Sequence, residues 1–147
     1  MKFSDIDKEQ WPQLKPYLDT ILLPITGLTG SEEPWEATLG LEELRDLIDA
    51  AEGPVRGRVV VYPAYHYIRE TTIQEELQEI CHRLRMNGFV YIILAIRADI
   101  LPQIDKHYCD LLLSYSDYKG TALGSMKKDV QQKIVSMWNA KLTHSKM

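Results

Sequence analysis

The residues with the most chemistry to offer sit in GRVVVYPAYHYIR, residues 57–69, where an apolar run ends in a proline and is followed by Tyr65, His66, Tyr67 and Arg69. Histidine is the side chain whose unperturbed pKa, near 6.5, lets it act as acid, base or switch near neutral pH, which makes His66 a candidate for that chemistry. Asp99 could orient it from a neighbouring strand end, giving a general base of hydrolase or transferase type. A hydrolytic site would also need a nucleophile. Ser114 and Ser116 are the nearby hydroxyls, and neither lies in a G-x-S-x-G elbow. Arg97 could hold an anionic group bidentately while Tyr65 and Tyr67 stack on or wall the ligand. Such a module would bind or regulate without catalysing. The competing account is that strand ends turn into solvent and collect polar residues anyway, with the tyrosines stapling the next helix.

Other chemistries fail on spacing. His82, His107 and His144 are scattered without HExxH or paired ligand spacing, so no metal site is expected. ITGLTGS, residues 25–31, has glycines but neither G-x-G-x-x-G nor G-x-x-x-x-G-K-[ST], and no cofactor is assigned. YSDYK, Tyr115–Lys119, matches the Tyr-x-x-x-Lys spacing of some reductases, but it closes a predicted strand rather than lying on one helix turn. A phosphoacceptor receiver would need an aspartate at the end of the third strand, where Arg97 stands.

These residues fall at strand ends if the chain is read for periodicity. A broken helix is expected between Ser4, placed as its cap, and Leu18, because Pro12 and Pro16 interrupt it. Asp19–Ile25 suits a short buried strand, and Trp35–Glu52 a helix with Leu41, Leu44, Leu47 and Ile48 inward and Gly40 at its start or at a kink. Arg58–Pro63 reads as a second strand, buried on both faces. The stretch from Thr71 to Gly88 has a threonine cap, the stripe Ile73, Leu77, Ile80, Cys81 and Leu84, and an Asn-Gly stop. Phe89–Ile96 is the most apolar strand and should be central, followed by a short turn or helix through DILPQID, the strand CDLLLSYS and a closing helix from Ser125 to Lys141.

Strands alternating with helices imply one α/β domain over residues 1–147: a three-layer, Rossmann-like or flavodoxin-like sandwich with a small, mostly parallel four-stranded sheet. Ligands bind such sheets outside the carboxyl ends of the strands. That rule gives Pro24, Thr26 and Gly27 after the first strand, Tyr65, His66, Tyr67 and Arg69 after the second, Arg97 and Asp99 after the third, and Ser114, Ser116 and Asp117 after the fourth; of these, Tyr65, His66, Tyr67, Arg97, Asp99, Ser114 and Asp117 form the candidate site.

The Pro63-Ala64-aromatic stretch after a GR-led strand, with DTILLPI before it and a helix feeding a third strand, resembles the YpiF-like family of uncharacterised proteins from Bacillus and relatives. The resemblance covers most of the chain, departs at AIRAD after the third strand, and implies the fold boundaries and a bacterial cytoplasmic setting.

Composition narrows the partners. Lys+Arg 17 against Asp+Glu 21 leaves a formal charge of −4 with no basic block, so nucleic acid is not expected. No apolar run approaches the roughly 18 residues of a membrane span, and the start lacks a signal-peptide core. Cys81 and Cys109 have no CxxC spacing, which suits a reduced, cytoplasmic location. A small anionic ligand is the first expected partner. Trp11, Tyr17 and Trp138 would serve a protein partner or homodimer if exposed, and core packing if not.

Overall fold

In the computed structural model, the described residues are 1–53, 57–97 and 108–145, with side chains described to residue 140. Four strands, β1 (Thr20–Ile25), β2 (Val59–Val61), β3 (Tyr91–Ile96) and β4 (Leu111–Ser114), form one sheet in the order β2-β1-β3-β4. Every pairing is parallel, with Ile21 opposite both Val60 and Ile92, and Ala95 opposite Leu113. The helices are α1 (Trp11–Leu14), α2 (Pro34–Glu52), α3 (Ile73–Met86) and α4 (Leu123–Ser145).

Strand parity sorts the core into two layers. Ile21, Leu23, Ile25, Val60, Ile92, Leu94 and Ile96 pack with Leu77, Cys81 and Leu84 of α3, with Trp11 and Leu14 of α1 against them. Leu22, Val59, Val61, Ile93, Ala95 and Leu113 pack with Leu44 and Leu47 of α2 and with Val130 and Ile134 of α4. Both faces are covered, which is why the strands read as unbroken apolar runs. The three-layer Rossmann-like or flavodoxin-like sandwich expected from the sequence is therefore the fold, and β3 is central beside β1.

Several local expectations are corrected. Gly40 neither starts nor kinks a helix; it lies buried in the second turn of α2, whose first residue is Pro34. Leu41 points outward, 42% exposed. Ser4 sits inside a 3-10 turn, Phe3–Asp5, and it is the Asp7 carboxylate that accepts the Gln10 N–H ahead of α1, at 2.7 Å. The strand expected over CDLLLSYS closes at Ser114, and Tyr115–Tyr118 form a 3-10 turn. The turn through DILPQID lies outside the described residues. At the amino ends of the strands, Arg58 forks onto Asp19, with Nε to Oδ1 at 2.9 Å and a second N–H to Oδ2 at 3.1 Å. The same guanidinium lies 4.1 Å from the Trp138 ring centroid, and the Trp138 indole donates to Thr20 Oγ1 at 3.0 Å. Trp138 is thus a half-buried fastener of α4, Trp11 packs half-buried beside Phe89, and Tyr17 stands 71% exposed. Cys81 and Cys109 lie in one buried cluster, neither in a disulfide, and burial pushes the Cys81 thiol up to about 12.

Candidate functional site

Strand order reverses between β1 and β3, since the chain leaves β1 for β2 on one side and returns to β3 on the other. The crevice outside the carboxyl ends of β1 and β3 is therefore the place where this architecture takes ligands. Arg97, the residue after β3, spans it. Its Nε donates to the Thr26 carbonyl at 3.2 Å, just past β1. Its shaft then runs over α2, where a Cβ built on Gly40 would come within 2.7 Å of Cδ and 2.8 Å of Nε. A bare backbone at position 40 leaves the slot that the arginine fills.

Thr26 also holds the segment after β2. Its N–H donates to the Tyr65 carbonyl at 3.0 Å and its hydroxyl to the same oxygen at 3.2 Å. The Tyr62 N–H reaches the Leu22 carbonyl at 3.0 Å, and the Tyr65 N–H the Pro24 carbonyl at 2.8 Å. Two residues along β1 are thus matched by three after β2, so the chain bulges at Pro63-Ala64. The ladder can break there because Pro24 has no N–H to offer β2. Ile68 then donates to the Leu28 carbonyl at 2.9 Å. Pinned at Tyr65 and Ile68, the chain throws His66 and Tyr67 outward as a crest. Both are exposed, with ring centroids 6.2 Å apart. Tyr67 has φ +57°, the left-handed region that non-glycine residues enter at a cost of about 1–2 kcal/mol.

The remaining candidates fall into separate settings. Tyr65 turns back under the crest and donates its hydroxyl to Glu76 on α3; that bond, then burial, raises its pKa. It staples the helix, as the bland account of the strand ends expected. Ser114 closes β4 beside Ile96, buried, its hydroxyl 2.6 Å from that of Ser116. Asp117 is exposed on the following 3-10 turn. Asp99 lies outside the described residues, so the His66–Asp99 pair has no described geometry. Of the seven candidates, Arg97 and the 65–67 stretch are joined by a described contact, through Thr26.

The glycine-containing loop after β1 carries its own anion. The Glu32 carboxylate accepts the Thr29 N–H at 2.8 Å, the Thr29 hydroxyl at 3.0 Å and the Gly30 N–H at 3.0 Å. Led by the Thr29 amide, these bonds hold its pKa down at about 2. Those two amides already have a carboxylate where a phosphate cradle would need them vacant. In YSDYK, Tyr118 donates to Asp129 at 2.6 Å and accepts from Lys133 at 2.9 Å. Burial and the bond to Asp129 raise the Tyr118 pKa, the reverse of what a catalytic tyrosine needs. Among the described residues no group of three or more His, Cys, Asp or Glu is placed to hold a metal ion, and no helix is long and apolar enough to cross a membrane.

Sequence reasoning placed Thr26 at the end of the first strand but not as the junction of Arg97 and Tyr65, and it missed Gly40. A glycine set among good helix formers was the available signal for Gly40. Compared with known proteins, residues 9–144 match the profile of one family, described as a protein of unknown function, DUF2487. No curated protein matches the chain, and no solved structure does.

Proposed function

Because the chain belongs to the DUF2487 family of proteins of unknown function, we propose its role from the switch-point crevice: a non-catalytic binding or regulatory module for a small anionic ligand. Arg97 supplies the charge, the His66–Tyr67 crest a wall with aromatic faces, and Ser114, with Asp117 and Asp99 nearby in sequence terms, the polar surroundings. The observation that carries this reading is the slot at Gly40. An arginine that merely reached solvent would need no bare backbone beneath it, whereas one aimed across a crevice does. Backbone pinning on both sides of the crest supports it too, because a strained, outward aromatic persists only where its surroundings over-determine it. The resemblance to YpiF-like proteins of Bacillus makes a bacterial cytoplasmic setting part of the same proposal.

The test is a thermal-shift screen of inorganic phosphate, nucleotides, phosphosugars and di- and tricarboxylates against the protein and its Arg97→Ala variant. A specific ligand at ~100 times its Kd adds ~2.7 kcal/mol, a shift of several degrees at this size. A hit lost in Arg97→Ala supports the reading. Anions that shift both proteins equally, or none that shifts either, overturn it.

A further inference from the structure

A second surface lies away from the crevice, on the α3 side of the β2 edge. Three adjoining clefts, of about 430, 520 and 370 Å³, share walls in sequence: Tyr62 and Pro63 line the first two, and Tyr65, Ile80 and Arg83 the second and third. Together they form one open groove from Trp11 to Glu75. Its half-buried walls are apolar: Ile6, Trp11, Tyr62, Ala64, Tyr65 and Ile80. Phe89 backs it, with the Trp11 ring at 6.1 Å and the Tyr62 ring edge-on at 5.7 Å. Apolar wall that is contiguous, reachable from solvent and rimmed by charge marks an interaction surface.

The rim has a sign. Asp7, Glu75, Glu76 and Glu79 face Lys8 and Arg83, four negative charges against two positive, a formal balance of −2. Arg83 is held by Glu79 at 3.0 Å. The acids gather at the α3 end, the apolar floor at the α1 end. From Glu75 to Leu84 the helix wall runs about 14 Å at 1.5 Å per residue, enough for about four extended residues.

We propose that this groove docks a short peptide segment of a partner protein, carrying apolar side chains for the Trp11–Tyr62–Ile80 floor and Lys or Arg at the end that meets Glu75, Glu76 and Glu79. A second copy of this chain fits less well, because its formal charge of −4 opposes an acidic rim. The surface touches the crevice through Tyr65 alone, whose carbonyl is bound by Thr26; its apolar floor at Trp11, Tyr62 and Ile80 and its acidic rim have no described contact with Arg97 or Gly40, so it is tested apart from the crevice.

The test is selection from a displayed library of random peptides of about 12 residues, long enough to overrun the groove, against the full chain. Synthetic copies of the selected peptides are then titrated. Apolar sequences with flanking Lys or Arg are expected, and their affinity should fall at least about tenfold, the equivalent of 1.4 kcal/mol, in Ile80→Glu and in the surface pair Glu75→Lys with Glu79→Lys. Arg97→Ala should leave it unchanged. The pair sits on exposed helix positions, so it still reports if Ile80→Glu unfolds. No selected peptide, peptides without basic residues, affinity indifferent to the charge pair, or concentration-dependent self-association abolished by Ile80→Glu would each overturn the proposal.

Discussion

The Arg97 side chain occupies the volume that any side chain on Gly40 would need: Cδ lies 2.7 Å, and Cζ 3.1 Å, from a Cβ built there. Since the clash is with the flexible end of an arginine, Gly40→Ala should move Arg97 rather than unfold α2. Alanine gains up to about 1 kcal/mol of helix propensity, and the bond from Nε to the Thr26 carbonyl is lost. Urea unfolding should find stability within about 1 kcal/mol of the parent, while the anion response in the thermal-shift screen disappears. Retention of that response would show that the slot is irrelevant to binding.

Tyr67 points to the opposite sign of trade. Its left-handed backbone is free to glycine, so Tyr67→Gly should leave stability unchanged or raise it by up to about 1 kcal/mol. Ligand affinity should fall. A loss of stability beyond about 1 kcal/mol would mean that the ring, 65% exposed, contributes packing instead.

Glu32 gives a pH dependence. Its carboxyl ionises at about 2 in the fold against an ordinary 4.5, so its stabilisation is complete above about 4.5 and fades as pH falls toward about 2. The stability gap between the parent and Glu32→Gln should therefore be largest near neutrality and shrink steadily below pH ~4.5. Denaturant titrations from pH 7 to pH 3, read as differences between the two proteins, would check it. A gap independent of pH would mean that the charge on Glu32 does not matter.

Trp138 fixes the far end of the sheet. Trp138→Phe keeps a ring for Arg58 but removes the indole donor to Thr20. The expected loss is about 1–2 kcal/mol. In a double-mutant cycle of Trp138→Ala with Arg58→Ala, measured by urea unfolding, the two losses should fail to add, because guanidinium and indole share one stack. Strict additivity would rule the stack out as a source of stability.

The sheet, its parallel sense and the inward stripes of α3 and α4 were legible because burial on both faces writes continuous apolar strands and helical stripes into the chain. Leu77, Cys81 and Leu84 face inward as their spacing requires. What was not legible depends on contacts between distant segments. Thr26 stands among the strand-end residues, but nothing near it in sequence shows that Tyr65 and Arg97, 39 and 71 residues away, converge on it. Gly40 reads as a helix breaker because propensity weighs a residue alone, whereas its role is set by the side chain that crosses it. Tyr65 was read as a ligand wall; its place beneath the crest and its bond to Glu76 follow from the bulge before it.

That bulge also sets a phase. Along β2, Val60 and the following Tyr62 face the α3 layer, so strict alternation would turn residue 64 the same way and residue 65 toward α2 and α4. The extra residue at Pro63-Ala64 advances the count by one. Tyr65 is thereby delivered to the α3 layer, within reach of Glu76, and the outward turn of His66 and Tyr67 begins from there. Straightening the same residues into strict alternation, with the length unchanged, would preserve the composition and exchange the two sides: the anchor would lose its helix, and the crest its foundation.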